Sequence, residues 1–461
     1  MKNMSLVQIA EACGGIYMGN EICRETEIEG VVIDSRQVRA GFLYIPIRGE
    51  RVDGHRFIPD VFAGGAAAVL SEEKLENPAG PYILVKSSEQ ALKDIAEYYR
   101  STLNIKIVGI TGSVGKTSTK EMIASVLAQK YDVLKTEGNF NNEIGLPLTI
   151  LKIREHHEVA VVEMGISEFG EMHRLAKVAR PDICVLTNIG QCHLDQLKTR
   201  DGILKAKSEI FDFLREDGTV ILNGNDDKLS LIGRVKGITP MRYFVEDKTA
   251  VRQNDSYFVY ADSIRNLGLR GMRANLHFPE KTCAVTEPIP GAHNIYNACA
   301  AACVGTALGL TTEEICSGIA SARTISGRTN LIEKDGVTII DDCYNANPVS
   351  MKASLDVLDL AEGRKIAVLG DMGELGENER ELHREVGEYA ARKKIDILYC
   401  TGELSRELAK AAGSGCETRH FETREDLTEE LLKLVKTGDT VLVKASHFME
   451  FPEIVEALRS R

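Results

Sequence analysis

Residues 106–117 read Lys-Ile-Val-Gly-Ile-Thr-Gly-Ser-Val-Gly-Lys-Thr, and a helix-forming stretch follows at once to Lys130. The short β-branched run reads as a strand, and the segment from Lys116 as a helix. Glycines without a Cβ let the backbone N–H groups of the intervening turn close around a phosphate. The helix N-terminus adds partial positive charge, and a lysine at the turn reaches the outer phosphates. Thr111, Gly112, Ser113, Val114, Gly115, Lys116, Thr117 and Ser118 are therefore the expected nucleotide cradle, with Thr117 placed to hold Mg²⁺. The spacing departs from the general Walker pattern, because Ile110 stands where a glycine is wanted five residues before Gly115. A glycine-rich strand-to-helix turn with an unrelated lysine is the alternative.

Outward from this turn the pattern repeats. Apolar runs at Ile105 to Thr111, Val159 to Met164, Ile183 to Thr187 and Val220 to Leu222 alternate with helical stretches such as Gly202 to Leu214, which predicts parallel βα units. A second series after Arg328 has runs Val337 to Ile340, Lys365 to Leu369, Ile395 to Cys400 and Thr440 to Lys444, separated by helix-period segments such as Asn378 to Lys393. It predicts a smaller, doubly wound Rossmann-like domain. Phe42 to Ile47, Ala66 to Leu70 and Tyr82 to Lys86 read as strands of a separate N-terminal α/β module closed by a helix from Glu89 to Ser101. The expected fold is α/β with three domains, 1–100, 101–324 and 325–461.

Length and composition agree with this division. A chain of 461 residues is long for one core, and 43% hydrophobic with 27% charged residues is an ordinary globular mixture. The net charge of −12 and the lack of a basic stripe argue against a nucleic-acid partner. The longest uncharged, mildly apolar stretch, Asn294 to Leu310, is rich in Ala and reads as a buried helix rather than a membrane span. Glu11 interrupts the only early apolar run, so no signal-peptide core is expected. Eleven cysteines without a Cys-x-x-Cys pair fit reduced thiols of the cytoplasm. Cys299 and Cys303, one helical turn apart among alanines, read as packing residues.

A phosphate loop needs oxygen or nitrogen ligands at neighbouring strand ends to complete a metal site. Val159-Ala160-Val161-Val162-Glu163 delivers a carboxylate as its strand runs out, which makes Glu163 the first expected ligand. A strand-end carboxylate turned to solvent is its alternative. Thr187 to His193 follows the next strand, and His193 there is the second expected ligand, with a packed imidazole as the alternative.

In this order the segments TGSVGKTSTK (111–120), EGNFNNEIGLP (137–147), VVEMG (161–165), TNIGQCHLD (187–195), KAKSEIF (205–211), GAHNIYNACAA (291–301), SGRTNLI (326–332), DDCYNANPVSM (341–351) and LGDMGELG (369–376) resemble the Mur ligases. These are ATP-dependent amide-bond-forming enzymes of bacterial peptidoglycan precursor synthesis, and the resemblance spans nearly the whole chain. The last two segments look like the family member that adds D-alanyl-D-alanine to UDP-MurNAc-tripeptide. The resemblance implies transfer of the γ-phosphoryl of ATP to a substrate carboxylate, followed by attack of an amine on the acyl phosphate. It implies catalytic roles for Lys116, Glu163, His193 and Lys207, and metal ligation by Thr117, Glu163, His193 and Lys207, the last as a carbamylated lysine. Lys205 competes for that last role.

On the same ground Asn294 and Asn297 fall on the adenine side, where Asn294 is also placed to cap a helix. Arg328 matches an arginine that reaches the ATP phosphates, and Asp342 and Asn345 match the ribose side and the reaction crevice. Ser35, Arg36 and Arg48 match the uridine-diphosphate side. Asn139 and Asn142 match positions that touch the muramoyl-peptide, although their loop also reads as a hairpin turn. Asn347, with Asn345, matches the reaction crevice, Asp371 and Leu375 match the acceptor-side loop, and Lys444 is carried over as a further substrate-binding residue. Cys343 and Ser118 stand where the family usually carries Ser and Thr, and Val443-Lys444-Ala445-Ser446-His447 departs from its usual Lys-Gly-Ser-Arg. The resemblance further implies small-molecule substrates with ATP and Mg²⁺; the apolar stretches and cysteines above point to the cytoplasm without membrane insertion, and a monomer is the default expectation.

Overall fold

The computed structural model describes residues 1–49, 51–246 and 258–461, folded as three α/β units each built on its own sheet. The first sheet holds β1 (Ile16–Met18), β2 (Gly30–Val32), β3 (Phe42–Tyr44), β4 (Ala68–Ser71) and β5 (Tyr82–Leu84), in the order β1-β5-β4-β3-β2. Only β1 runs antiparallel to its neighbour. The helix Ser88–Thr102 closes the unit, with Ser87 accepting the Gln90 N–H as its N-cap.

The central sheet has nine strands: β6 (Lys106–Thr111), β7 (Val133–Lys135), β8 (Val159–Glu163), β9 (Ile183–Leu186), β10 (Thr219–Asn223), β11 (Met241–Val245), β12 (Phe258–Asn266), β13 (Met272–His277) and β14 (Thr282–Glu287). Their order is β14-β13-β12-β11-β10-β9-β6-β8-β7. Successive side chains of β8 enter different cores: Ala160 and Val162 pack on one face, Val159 and Val161 on the other. Burial on both faces explains why the strand is apolar at every position. The connection from β6 leads to β7 and β8 on one side, whereas β9 lies on the other, so the topological switch falls at β6. In an open α/β sheet the crevice beyond the strand ends at that point is the ligand site.

The sheet is not parallel throughout. β12, β13 and β14 form an antiparallel extension with a register shift between Asp262 and Arg265. Polar residues alternate with apolar ones along β13, as expected for a strand with one wet face. A search for continuous apolar runs passes over such strands. The helix His293–Ala307 fills the space between this sheet and the helix Lys116–Leu127, and residues 298–304 are wholly buried. Alanine and cysteine suit it because neighbours press on every side. Among the described residues no helix is long and apolar enough to cross a membrane.

The third sheet comprises β15 (Asn330–Lys334), β16 (Val337–Asp341), β17 (Lys365–Leu369), β18 (Ile397–Thr401), β19 (Glu417–Phe421) and β20 (Thr440–Lys444), in the order β15-β16-β20-β17-β18-β19. Only β15 is antiparallel.

Glu287, at the end of β14, is fully buried, and among the described residues neither carboxylate oxygen has a hydrogen-bond partner. Burial pushes its carboxyl well above the usual carboxylate range. The unfolded chain releases this proton at the ordinary value and the folded chain does not, so the folded state loses stability as pH rises through that window. Glu287→Gln is expected to raise stability by about 1–3 kcal/mol near pH 7. The gain should shrink toward pH 4, as read by melting curves across pH.

Candidate active site

The turn after β6 is built so that only its own residues fit. Gly115 heads the helix Lys116–Leu127 with φ +82°, and a Cβ on Gly112 would stand 1.9 Å from Thr187 Oγ1. The loop is fastened to the end of β9 by Asn188. Val114 N donates to Asn188 Oδ1 at 2.9 Å, Asn188 Nδ2 donates to Val114 O at 2.8 Å, and Ser113 N donates to Asn188 O at 3.0 Å. Lys116 Nζ folds back over the turn to Gly112 O at 3.0 Å. Asn188→Ala removes the two side-chain bonds to Val114 and a third from Nδ2 to Thr187 Oγ1 at 3.3 Å, each worth about 1 kcal/mol. It is expected to weaken nucleotide binding about tenfold by titration calorimetry while the chain still melts cooperatively.

Two sequence-predicted ligands flank this loop. Glu163 is 2% exposed at the end of β8; Oε1 accepts from Asn141 Nδ2 at 2.8 Å, and Oε2 is buried without a partner among the described residues. Lys207 lies on the helix Arg200–Ser208, fully buried, and its ammonium also has no partner. Burial first, and the nearby Lys116 charge second, pull the Lys207 amine down to about 8. Two residues earlier, Lys205 is exposed, with Nζ 5.8 Å from the centroid of the Phe169 ring. Thr111 Oγ1 and Arg328 Nε are likewise buried and unpaired. Unpaired buried polar atoms each cost about 1–3 kcal/mol, so their grouping here fits a site whose ligand completes them. Thr117, buried at the start of its helix, stands with them. His193, at φ +50°, turns Nδ1 to Glu374 of the third unit at 2.7 Å.

A cavity of about 280 Å³ opens beside the loop between the central and third units. Gly115, Ser118, Asn188, His293, Tyr296 and Asn297 line one side, and Arg328, Asp342, Ser354 and Lys444 the other. Asn297 accepts from Thr119 Oγ1 at 2.8 Å and donates to Asn294 Oδ1 at 2.9 Å, while Asn294 Nδ2 bonds Pro290 O. Arg328 Cζ sits over the Tyr344 ring, 4.1 Å from its centroid. Asp342 accepts from Thr329 N at 3.0 Å, Lys444 Nζ at 2.7 Å and Ser354 Oγ. Lys444 also reaches Asn345 O at 3.0 Å. Lys444 thus stands in the wall of this cavity, beside Asp342.

Other sequence-predicted residues lie elsewhere. Asn345 is exposed, and Asn347 caps the helix Pro348–Asp359 by accepting from Ser350 N at 2.9 Å. Asp371 accepts the N–H groups of Ser405 at 2.7 Å and Leu404 at 3.2 Å, and Leu375 is packed in an apolar core. In the loop after β7, Asn139 is exposed and Asn142 accepts from Gly145 N at 2.8 Å, so Asn141 is the one that touches Glu163. In the first unit Ser35 is half-buried. Arg36 forks onto Asp34 at 2.7 Å, and Arg48 pairs with Glu72 at 2.9 Å and Glu73 at 3.0 Å.

Taken one at a time, Asn188, Asn141, His293 and Tyr296 carry no signal in the local sequence pattern that marks them as part of the site, nor does Tyr243, which also lines the cavity. His293, Tyr296 and Asn297 are spaced i, i+3, i+4, so one helical face could have been drawn through them. Asn188 and Asn141 are set by contacts between strands that no local pattern carries.

The family models described as Mur ligase middle domain, Mur ligase, glutamate ligase domain, and Mur ligase family, catalytic domain match residues 110–305, 327–447 and 27–100. The UDP-N-acetylmuramoyl-tripeptide--D-alanyl-D-alanine ligase of Bacillus subtilis (strain 168) is 38% identical, over 99% of this chain and 99% of its own. A crystal structure of MurF from Acinetobacter baumannii superposes with a TM-score of 0.88 at 31% identity, covering 99% of both chains. MurF ligase from Thermotoga maritima, solved in complex with ADP, gives 0.79 at 30% identity over 94% of this chain and 97% of that one.

Proposed function

The chain belongs to the Mur ligase family, and from that premise we infer that it is the ATP-dependent ligase that joins UDP-N-acetylmuramoyl-tripeptide to D-alanyl-D-alanine in peptidoglycan precursor synthesis. The observation that carries the chemistry is the set of unpaired buried atoms on Thr111, Glu163, Lys207 and Arg328 around a phosphate-binding turn.

ATP would lie with its base and ribose in the cavity beside Asn297, His293 and Asp342, and its phosphates over Gly112 to Thr117. The tripeptide carboxylate takes the γ-phosphoryl group, forming an acyl phosphate and ADP. The D-alanyl-D-alanine amine then attacks the acyl carbon, phosphate leaves, and the amine sheds its proton. Anionic groups must be brought together, so neutralisation matters more than a side-chain nucleophile. Lys116 and the Arg328 fork supply positive charge, and the turn's N–H groups hold the phosphates in line. Thr117, Glu163, His193 and a carbamylated Lys207 would hold Mg²⁺, which supplies further charge neutralisation when bound. A lysine with an amine pulled down to about 8 is partly neutral near pH 7–8, as addition of CO₂ requires.

Ser35, Arg36 and Arg48 would meet the uridine-diphosphate end, the two arginines by exchanging their present carboxylate partners for phosphate. The reading also places a monomer in the cytoplasm, divided at residues 1–100, 101–324 and 325–461. A coupled ADP-release assay with Mg²⁺ tests it. ADP release should require D-alanyl-D-alanine, and lysine, diaminopimelate or glutamate should not replace it. Equal turnover with any of those acceptors would assign a different ligase.

A further inference from the structure

His193 and Glu374 meet across the junction of the central and third units, with Nδ1 2.7 Å from the carboxylate. Neither is glycine, yet both hold left-handed backbone, φ +50° and φ +60°. Such a conformation is uncommon for residues with a Cβ and persists only where its surroundings enforce it. The two turns are closely fitted: a Cβ on Gly376, at φ +70°, would stand 2.8 Å from Asp195 Oδ1.

A carboxylate at Nδ1 requires that nitrogen to carry the proton, and a neutral imidazole then presents its lone pair at Nε2. This argument rests on the ligase reading. We propose that Glu374 is a positioning residue for the reaction. Reaching over from the third unit, it holds His193 as the Nδ1–H form so that Nε2 is the donor to a divalent cation. Cation binding in the central unit is thereby tied to docking of the third.

The test uses the full chain labelled with ¹⁵N-histidine, with His193 assigned by its loss in His193→Gln, beside Glu374→Ala and Glu374→Gln. Unaltered protein should show His193 as the Nδ1–H form without any substrate present. Glu374→Ala should lose that signature and need about tenfold more Mg²⁺ for half-maximal ADP release. Glu374→Gln, whose amide oxygen accepts the same hydrogen bond, should restore both. An unchanged tautomer in Glu374→Ala, or a fall in kcat without a change in the Mg²⁺ requirement, would overturn the proposal and leave a contact between domains only. The tautomer is read without turnover, so failure of the ligase reading in the ADP assay stays distinct from failure here.

Discussion

Glu163→Gln is expected to lower dipeptide-dependent ADP release by about 10³-fold or more, the scale seen when one group that stabilises transition-state charge is removed. The same change should leave the melting temperature equal or higher. Glu163 is 2% exposed, one of its oxygens has no partner, and the other meets only Asn141. A carboxylate kept there for folding would be badly solvated, whereas the amide retains the shape at less desolvation cost. Loss of turnover together with gained or equal stability is the pattern of a group held ready for a ligand. Measuring kcat beside a melting curve checks both halves. A variant that unfolds would make Glu163 structural, and one that keeps its turnover would remove it from the reaction.

Lys207→Met should show the same opposition with a distinct pH signature. The folded amine is pulled down to about 8 from 10.5, chiefly by burial. Below pH 8 the folded chain therefore holds a buried charge that costs on the order of 3 kcal/mol. Because the unfolded lysine keeps its proton up to its ordinary value, stability of the unaltered protein rises as pH climbs from about 8 toward 10.5. Lys207→Met should melt higher near pH 7, and the gap should close over that range. Turnover should fall by at least about 10²-fold. In protein depleted of CO₂, added bicarbonate should restore activity to the unaltered chain and not to Lys207→Met. A melting difference independent of pH would show that the amine is not desolvated as described.

The phosphate turn was legible because everything that makes it is contiguous: a β-branched strand, glycines at the bend, and Lys116-Thr117 opening a helix. Glu163 was legible for the same reason, as the residue on which an apolar strand ends. Lys205 and Lys207 were not separable by residue type. Two positions along a helix differ by about 200° of rotation, which sends one ammonium to solvent and buries the other. Neighbouring asparagines in the loop after β7 raised the same difficulty, and the contact to Glu163 fell to Asn141. Lys444 ends a strand that pairs with β16, so the register of β16 and β20 brings it to Asp342. Asn188 and Glu374 act across separations of 74 and 181 residues, on Val114 and His193, and only the assembled fold brings those pairs together.

Crystals grown with Mg²⁺ and a nonhydrolysable ATP analogue ask whether this crevice takes a nucleotide's terminal phosphates and divalent cations between the glycine turn, Glu163 and Lys207. Phosphate density is expected over Gly112 to Thr117, with a cation touching Thr117 and Glu163 and added carboxylate density on the Lys207 amine. A triphosphate tail lying away from the turn, or cations that leave the Glu163 carboxylate bare, would overturn the proposed chemistry.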